Sequence, residues 1–259
     1  MKEGIVVVKL SGKVLGDSAL LASVCGDLAA LWQAGLQLVV VHGGGKQIDV
    51  EAQRQGLRKK TVNGLRCTDA RMLEIVERVL TRLNQAIVGG LQAQGACAVG
   101  LNVGKKFVVH ARKKAGLGFV GRVSSVDDAE LQGLLSSGVI PVVSCLAKGS
   151  RMRLNVNADE VAVAVANAVE AKRLVFVSDV PGILADQGNA ASLLSVVSAP
   201  VARGLMREGV VSGGMVPKVL ACLNAVDSSI AAVQVIGAKQ HAIRQCLQSA
   251  EAVGTRVTK

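Results

Sequence analysis

Leu36-Gln-Leu-Val-Val-Val-His42-Gly-Gly-Gly-Lys46-Gln-Ile-Asp-Val50 opens as a Val-rich apolar run and continues, past three glycines, into a stretch with helical character. A short apolar run of this kind reads as a strand buried on both faces. An ordinary strand-to-helix turn needs one glycine. Three in succession let backbone N–H groups face an anion at the start of the helix Lys46–Gln55, with no Cβ in the way. Strand, anion-facing turn and helix together are the repeating unit of an α/β fold.

The same reading extends in both directions. Ile5–Leu10, Ala96–Leu101, Val139–Ser144, Leu174–Ser178 and Ala231–Ile236 are further buried-strand candidates. Between them lie longer helical segments, among them Asp17–Ala34 closed by Gly35, and Asp69–Gln94 opened by Thr68 and closed by Gly95. Residues 59–66 read as a lid or hairpin and residues 104–124 as paired strands, additions at the edge of a largely parallel sheet. Val161, Val163 and Val165 alternate as in a strand, yet the interleaved alanines and the polar opening Asn155-Val-Asn157-Ala-Asp159 favour a helix over 157–171. No linker divides the chain, and the one soft boundary falls near 172, where Lys172-Arg173 precede a new strand.

The 259 residues are 50% hydrophobic and 19% charged, enough to fill a sizeable core and incompatible with disorder. Aromatic residues make up 2% with no Tyr, so stacking platforms for single-stranded nucleic acid are scarce. The net charge of +11 favours anionic partners without choosing among them. Six cysteines stand far apart with no Cys-x-x-Cys, and read as reduced, buried thiols. No apolar run approaches the roughly 20 residues of a membrane span or forms a signal segment, so the expected location is the cytoplasm.

Gly116-Leu-Gly118-Phe-Val-Gly121 satisfies a dinucleotide-binding expression, but a basic stretch precedes it and a strand follows, so it reads as a glycine-rich hairpin. Lys9 stands at the carboxyl end of an otherwise apolar strand, before Leu10-Ser11-Gly12, where open α/β sheets bind ligands. Lys218 follows the glycine turn Ser212-Gly213-Gly214, and a lysine beside such a turn neutralises and orients phosphate. Lys13 and Lys46 read as solvated. Ser178-Asp179-Val-Pro-Gly182 puts a carboxylate and a tight turn at the same sheet edge. One helix cap needs one of Asn155, Asn157 and Asp159, which leaves at least one for another task. Arg66 is a candidate carboxylate clamp, because guanidinium pairs with carboxylate bidentately.

In order, Lys9-Leu-Ser-Gly12, His42-Gly-Gly-Gly45, Asn63-Gly-Leu-Arg66-Cys-Thr-Asp69, Gly118-Phe-Val-Gly121, Asn155-Val-Asn-Ala-Asp159, Ser178-Asp-Val-Pro-Gly-Ile-Leu184 and Ser212-Gly-Gly-Met-Val-Pro-Lys218 span nearly the whole chain. This set resembles the amino-acid kinase family, and within it the branch acting on N-acetyl-L-glutamate. The resemblance implies an open αβα sandwich around a mainly parallel sheet with antiparallel hairpin additions. It implies an amino-acid-substrate lobe over 1–171 and an ATP-binding lobe over 172–259 in one continuous domain. The implied reaction is ATP-dependent phosphorylation of the acceptor's side-chain carboxylate, in arginine biosynthesis, with Mg²⁺ held mainly by the phosphates and no dedicated metal ligands. By position, Lys9 and Lys218 match the transition-state lysines and Asp159 the acid that orients them. Gly44, Gly45, Arg66 and Asn155 match substrate contacts. Gly12, the run Asp179, Val180, Pro181, Gly182, Ile183 and Leu184, and the run Val210, Val211, Ser212 and Gly213 match nucleotide contacts.

The chemistry agrees. A carboxylate nucleophile is already ionised at neutral pH, so no general base is needed, and positioning and charge neutralisation remain. Ser11 replaces the usual second glycine of the first motif. Only eight residues precede Lys9, where arginine-inhibited members carry an extra helix, so the expectation is a homodimer without arginine feedback. Alternatives are a sibling kinase for N-succinylglutamate or a carrier-bound aminoadipate or glutamate, to which the basic run Lys105, Lys106, Arg112, Lys113, Lys114 would suit an acidic carrier. From other classes come a non-catalytic nucleotide-binding regulator, against which stand both lysines and Asp159, and a nucleic-acid-binding protein, against which stands the scarcity of aromatics.

Overall fold

Runs without polar alternation demand cover on both faces, and Val6–Leu10 (β1) is buried along its whole length. A computed structural model describes residues 4–259 except 63, 187, 188, 212–214, 229 and 250–252. After β1 come α1 (Ser18–Gln33), β2 (Leu38–His42), α2 (Gly45–Arg54), the hairpin β3 (Thr61–Val62) and β4 (Leu65–Arg66), and α3 (Ala70–Ala93). Next are β5 (Ala98–Leu101), β6 (Val109–Lys113), β7 (Gly121–Val126), α4 (Asp128–Ser136), β8 (Ile140–Ser144), β9 (Leu146–Lys148), β10 (Arg153–Asn155) and α5 (Ala158–Ala168). The chain closes with β11 (Arg173–Ser178), β12 (Val196–Ser198), α6 (Ala199–Arg207), α7 (Met215–Asp227), β13 (Ala232–Gly237), α8 (Ala242–Gln248) and β14 (Thr255–Thr258).

Eight strands form one sheet in the order β12-β14-β13-β11-β1-β2-β8-β5. From β13 to β5 every pairing is parallel; β14 runs antiparallel to β13 and parallel to β12. One helix group packs α1 against α3 and α8, and another packs α5 against α7, with the sheet between them. Gly90 lets α3 approach α1 closely, since a Cβ there would lie 2.8 Å from Cys25 Sγ. The order reverses at β1, which continues to β2 on one side and meets β11 on the other. In open α/β sheets that crevice, outside the carboxyl ends of the strands, is where ligands bind. At the opposite end of the strands Trp32 Nε1 donates to the Gly138 carbonyl at 2.8 Å.

The expected hairpins form, but in sheets of their own and not at the edge of the eight-stranded sheet. β3 and β4 pair antiparallel within 59–66, and β6 and β7 pair antiparallel inside a second sheet, β10-β9-β6-β7. The glycine expression at 116–121 lies in the β6–β7 connection, as read. Gly118 is required there, because its φ is +72° and a Cβ would sit 2.2 Å from the Thr68 carbonyl oxygen. The alternating segment after Asn157 is helix α5. One expectation is corrected: α3 is capped by Asp69, whose carboxylate accepts from Met72 N at 2.8 Å, and not by Thr68. Thr68 is buried and turned inward, donating its hydroxyl to the Arg66 carbonyl at 2.9 Å. Strands β9, β10, β12 and β14 are additional to the sequence reading.

Candidate active site

Lys9 is the fourth residue of β1, with Phe176 of β11 as its Cα partner. Two cavities meet at it. One, about 540 Å³, is lined by Gly12, Asp179, Val180, Gly182, Ile183, Leu184, Val210 and Val211, together with Lys9 and Lys218. The other, about 240 Å³, is lined by Gly44, Gly45, Arg66, Asn155 and Asp159, together with Lys9 and Gly12. Pro181 lies in the same turn without lining the first cavity. Ser212 and Gly213 lie outside the described residues, as do Gly214 and Asn63.

Asp159 joins the two lysines. Lys9 Nζ stands 2.7 Å from its Oδ1 and Lys218 Nζ 3.5 Å from its Oδ2, with both lysine side chains 11% exposed. Burial alone would raise the Asp159 pKa, but the charges of Lys9 and Lys218 outweigh it and hold the carboxyl below its usual range. Asp159 also sits in the first turn of α5, where the helix dipole favours a negative charge. Burial and the like charge of Lys9 lower the pKa of Lys218, against the opposing pull of Asp159. Its ammonium lies 5.6 Å from the Phe176 ring centroid, so the side chain is fixed between an aromatic face and a carboxylate.

The three polar residues of the Asn155–Asp159 motif divide their labour. Asn157 caps α5, its Oδ1 accepting from Asp159 N at 2.8 Å and Glu160 N at 3.2 Å. Asn155 faces the smaller cavity and donates to Thr68 Oγ1 at 3.2 Å. Asp159 is left for the lysines.

Arg66 is brought to the smaller cavity with a partner the sequence reading missed. Asp49, one turn into α2, pairs with the guanidinium, which also donates to the Gly45 carbonyl at 3.0 Å. Asp49 accepts from Lys59 at 2.9 Å as well. Burial raises the Asp49 pKa, and its bonds to Arg66 and Lys59 bring it below the ordinary value. The spacing from His42 to Asp49 carried a signal for this, since a residue one turn into the helix faces back toward the turn.

His42 is a scaffold residue. Its ring is buried, with Nδ1 at 3.0 Å from the Gly43 carbonyl and Nε2 at 3.0 Å from Asn84 Nδ2. Burial lowers its pKa to about 4, so at neutral pH the ring is uncharged, with Nδ1–H donating and Nε2 accepting. It pins the start of the glycine turn. Gly44 packs closely on α3, and a Cβ there, 2.7 Å from Leu83 Cδ1, would make the Leu83 side chain shift. Cys145, at the floor of the smaller cavity, has its thiol pushed up to about 12 by burial and is no nucleophile.

Lys46 is solvated, as read, but it is not without a partner. Its side chain, 64% exposed, extends over the Gly12 turn and pairs with Asp179 across 133 positions of sequence. Gln47 ties the same turn to α2, donating to the Gly12 carbonyl at 2.9 Å.

A sequence model described as the amino acid kinase family matches residues 4–237. An acetylglutamate kinase of Acaryochloris marina is 37% identical over 98% of this chain and 91% of its own length, and one of Bartonella tribocorum is 39% identical over 97% and 88%. Among solved structures, a Streptococcus mutans protein superposes with a TM-score of 0.83 at 26% identity, covering 100% of this chain and 99% of its own. An N-acetylglutamate synthase of Neisseria gonorrhoeae reaches a TM-score of 0.88 at 22% identity over 100% of this chain and 60% of its own, a likeness of fold. With two cavities meeting at a buried lysine, the glycine turns at the sheet's carboxyl edge and relatives matched over nearly their full length, the chain belongs to the amino acid kinase family.

Proposed function

We propose that the protein transfers the γ-phosphoryl group of ATP to the side-chain carboxylate of N-acetyl-L-glutamate, giving an acyl phosphate and ADP. The observation that supports this most is Lys9, which lines both cavities and is held by the same carboxylate as Lys218. The larger cavity falls within the roughly 300–1,000 Å³ of small-molecule sites and takes the nucleotide. The smaller takes the acceptor. The segment 172–259 supplies most of the nucleotide side and 1–171 the acceptor side.

In the reaction an acceptor carboxylate oxygen attacks the γ-phosphorus, the bond to the β,γ-bridging oxygen breaks, and its electron pair leaves with ADP. No proton has to move, because the carboxylate is ionised before it attacks. Lys9 and Lys218 neutralise the charge spread over the transferring oxygens, and Asp159 keeps them charged and aimed. The amides at Gly12, Gly44 and Gly45 add donors without bulk. Arg66, braced by Asp49, and Asn155, braced by Thr68, hold the acceptor away from the reacting end. In this reading Mg²⁺ is held mainly by the nucleotide phosphates, where it would screen their charge. Ser212 and Gly213 complete the nucleotide contacts in this reading, and the working unit is a homodimer.

The test is Mg-ATP consumption with N-acetyl-L-glutamate, the acyl phosphate being trapped with hydroxylamine. Hydroxamate is expected. Activity confined to N-succinylglutamate or a carrier-linked acid would change the acceptor, and silence with every carboxylate would leave a nucleotide-binding protein.

A further inference from the structure

Lys46 breaks a local rule. It is the second residue of α2, where the helix dipole is positive and a cation is disfavoured. No acidic residue lies in that first turn to offset it, and its partner, Asp179, comes instead from the end of β11. Departures of this kind concentrate at functional positions. The side chain lies along Gly12, with Cγ and Cδ each 3.5 Å from where a Gly12 Cβ would stand, and Gly12 lines both cavities. Lys46 lines neither cavity itself; its stem lies beside Gly12 and its ammonium is held on Asp179, which lines the larger one.

The charge balance there calls for another cation. Lys9 and Lys218 are offset by Asp159, and Asp179 adds a second carboxylate to the wall of the nucleotide cavity. Those four groups cancel, while the proposed reactants are a polyphosphate and a carboxylate. Lys46 tips that balance to positive whichever anion it faces, and its exposed, flexible stem can turn from one anion to another. Ser11 and the Lys13 backbone also favour the charged form of Asp179, so the carboxylate keeps support when Lys46 turns away.

We infer that Lys46 is a third phosphate-binding cation of the site, held on Asp179 while the cavity is open and turned onto the nucleotide polyphosphate when it fills. This rests on the kinase reading. The ion pair itself is solvent-exposed and so contributes little to stability, which leaves Lys46 free to exchange partners.

The experiment is calorimetric titration of the wild type, Lys46→Met and Lys46→Arg with Mg-ATP, Mg-ADP and adenosine, beside a thermal melt of each unliganded protein. Losing one charge-assisted contact to phosphate should weaken Mg-ATP binding about tenfold in Lys46→Met. Adenosine binding and the unliganded melting temperature should not change, and Lys46→Arg should recover most of the affinity. Mg-ATP binding by Lys46→Met that equals or exceeds the wild type would overturn the inference and leave the kinase reading intact. A wild type that binds no adenine nucleotide would overturn both.

Discussion

Asp159 concentrates the electrostatics of the site in one side chain, and its replacement separates two effects. Its pKa is lowered by the lysines, so its contribution to stability is present above the ordinary aspartate value and is lost as pH falls toward the lowered one. Asp159→Asn leaves two buried ammonium groups facing each other without a counter-charge and should cost about 3 kcal/mol at pH 7. That penalty should shrink as pH rises toward 10.5, the ordinary value from which the Lys218 pKa is already depressed, because the folded protein then carries neutral lysine. Chemical denaturation of both proteins at several pH values checks this. Lys9→Met should instead keep the fold and lower kcat by about 10²–10³, the scale of losing one donor to transition-state charge. Steady-state kinetics beside a circular dichroism spectrum distinguishes these outcomes. At His42 the pKa falls to about 4, so the native state resists a proton that the unfolded chain accepts below 6.5. Stability should therefore decline by about 3 kcal/mol between pH 6.5 and 4, and His42→Gln should flatten that part of the curve.

At the scale of elements, the adjoining residues Thr68 and Asp69 serve different structures. Asp69 caps α3, so Asp69→Ala should cost about 1 kcal/mol and leave the acceptor KM unchanged. Thr68 supports Asn155, so Thr68→Val should raise the acceptor KM severalfold at similar kcat, as loss of one hydrogen bond to a binding group predicts. Denaturant titration and initial rates on both variants check the division. This pair also marks where sequence reading stops. Apolar runs such as Val6–Leu10 and glycine stops such as Gly35 and Gly95 declare themselves locally, and the core strands and long helices were legible from them. The short strands β9, β10, β12 and β14 were not, because strands of three or four residues carry too little periodicity and owe their form to neighbours far along the chain. Lys9, Arg66, Asn155 and Asp159 stood out by type and position. The braces Asp49, behind Arg66, and Thr68, behind Asn155, did not, nor did Asn84 behind His42, since a brace is defined by a contact across the fold, and neither did the role of Lys46.

Across the whole molecule, the sheet does not respect the division at 172. β11, from the nucleotide side, pairs with β1 of the acceptor side over four registered positions, and Phe176 lies against Lys9 in that pairing. One cooperative calorimetric transition is therefore expected, with no separate melting of 1–171 and 172–259. Mg-ATP and N-acetyl-L-glutamate should each raise its midpoint on the proposed reading, because each would bind the folded state alone, the first in a cavity lined from both parts. A fragment ending at 171 should aggregate, having bared one edge of β1 along with the faces of α5 and α1 that α7 and α8 cover. Among the described residues no helix is long and apolar enough to cross a membrane. The bond from Trp32 to Gly138 has an optical consequence. The chain holds one tryptophan and no tyrosine, and that indole is anchored at the end of the strands remote from both cavities. Its emission reports on the folded state and is silent to a ligand that acts only at the carboxyl edge; a spectral change on adding nucleotide would mean that binding is felt along the full length of the sheet.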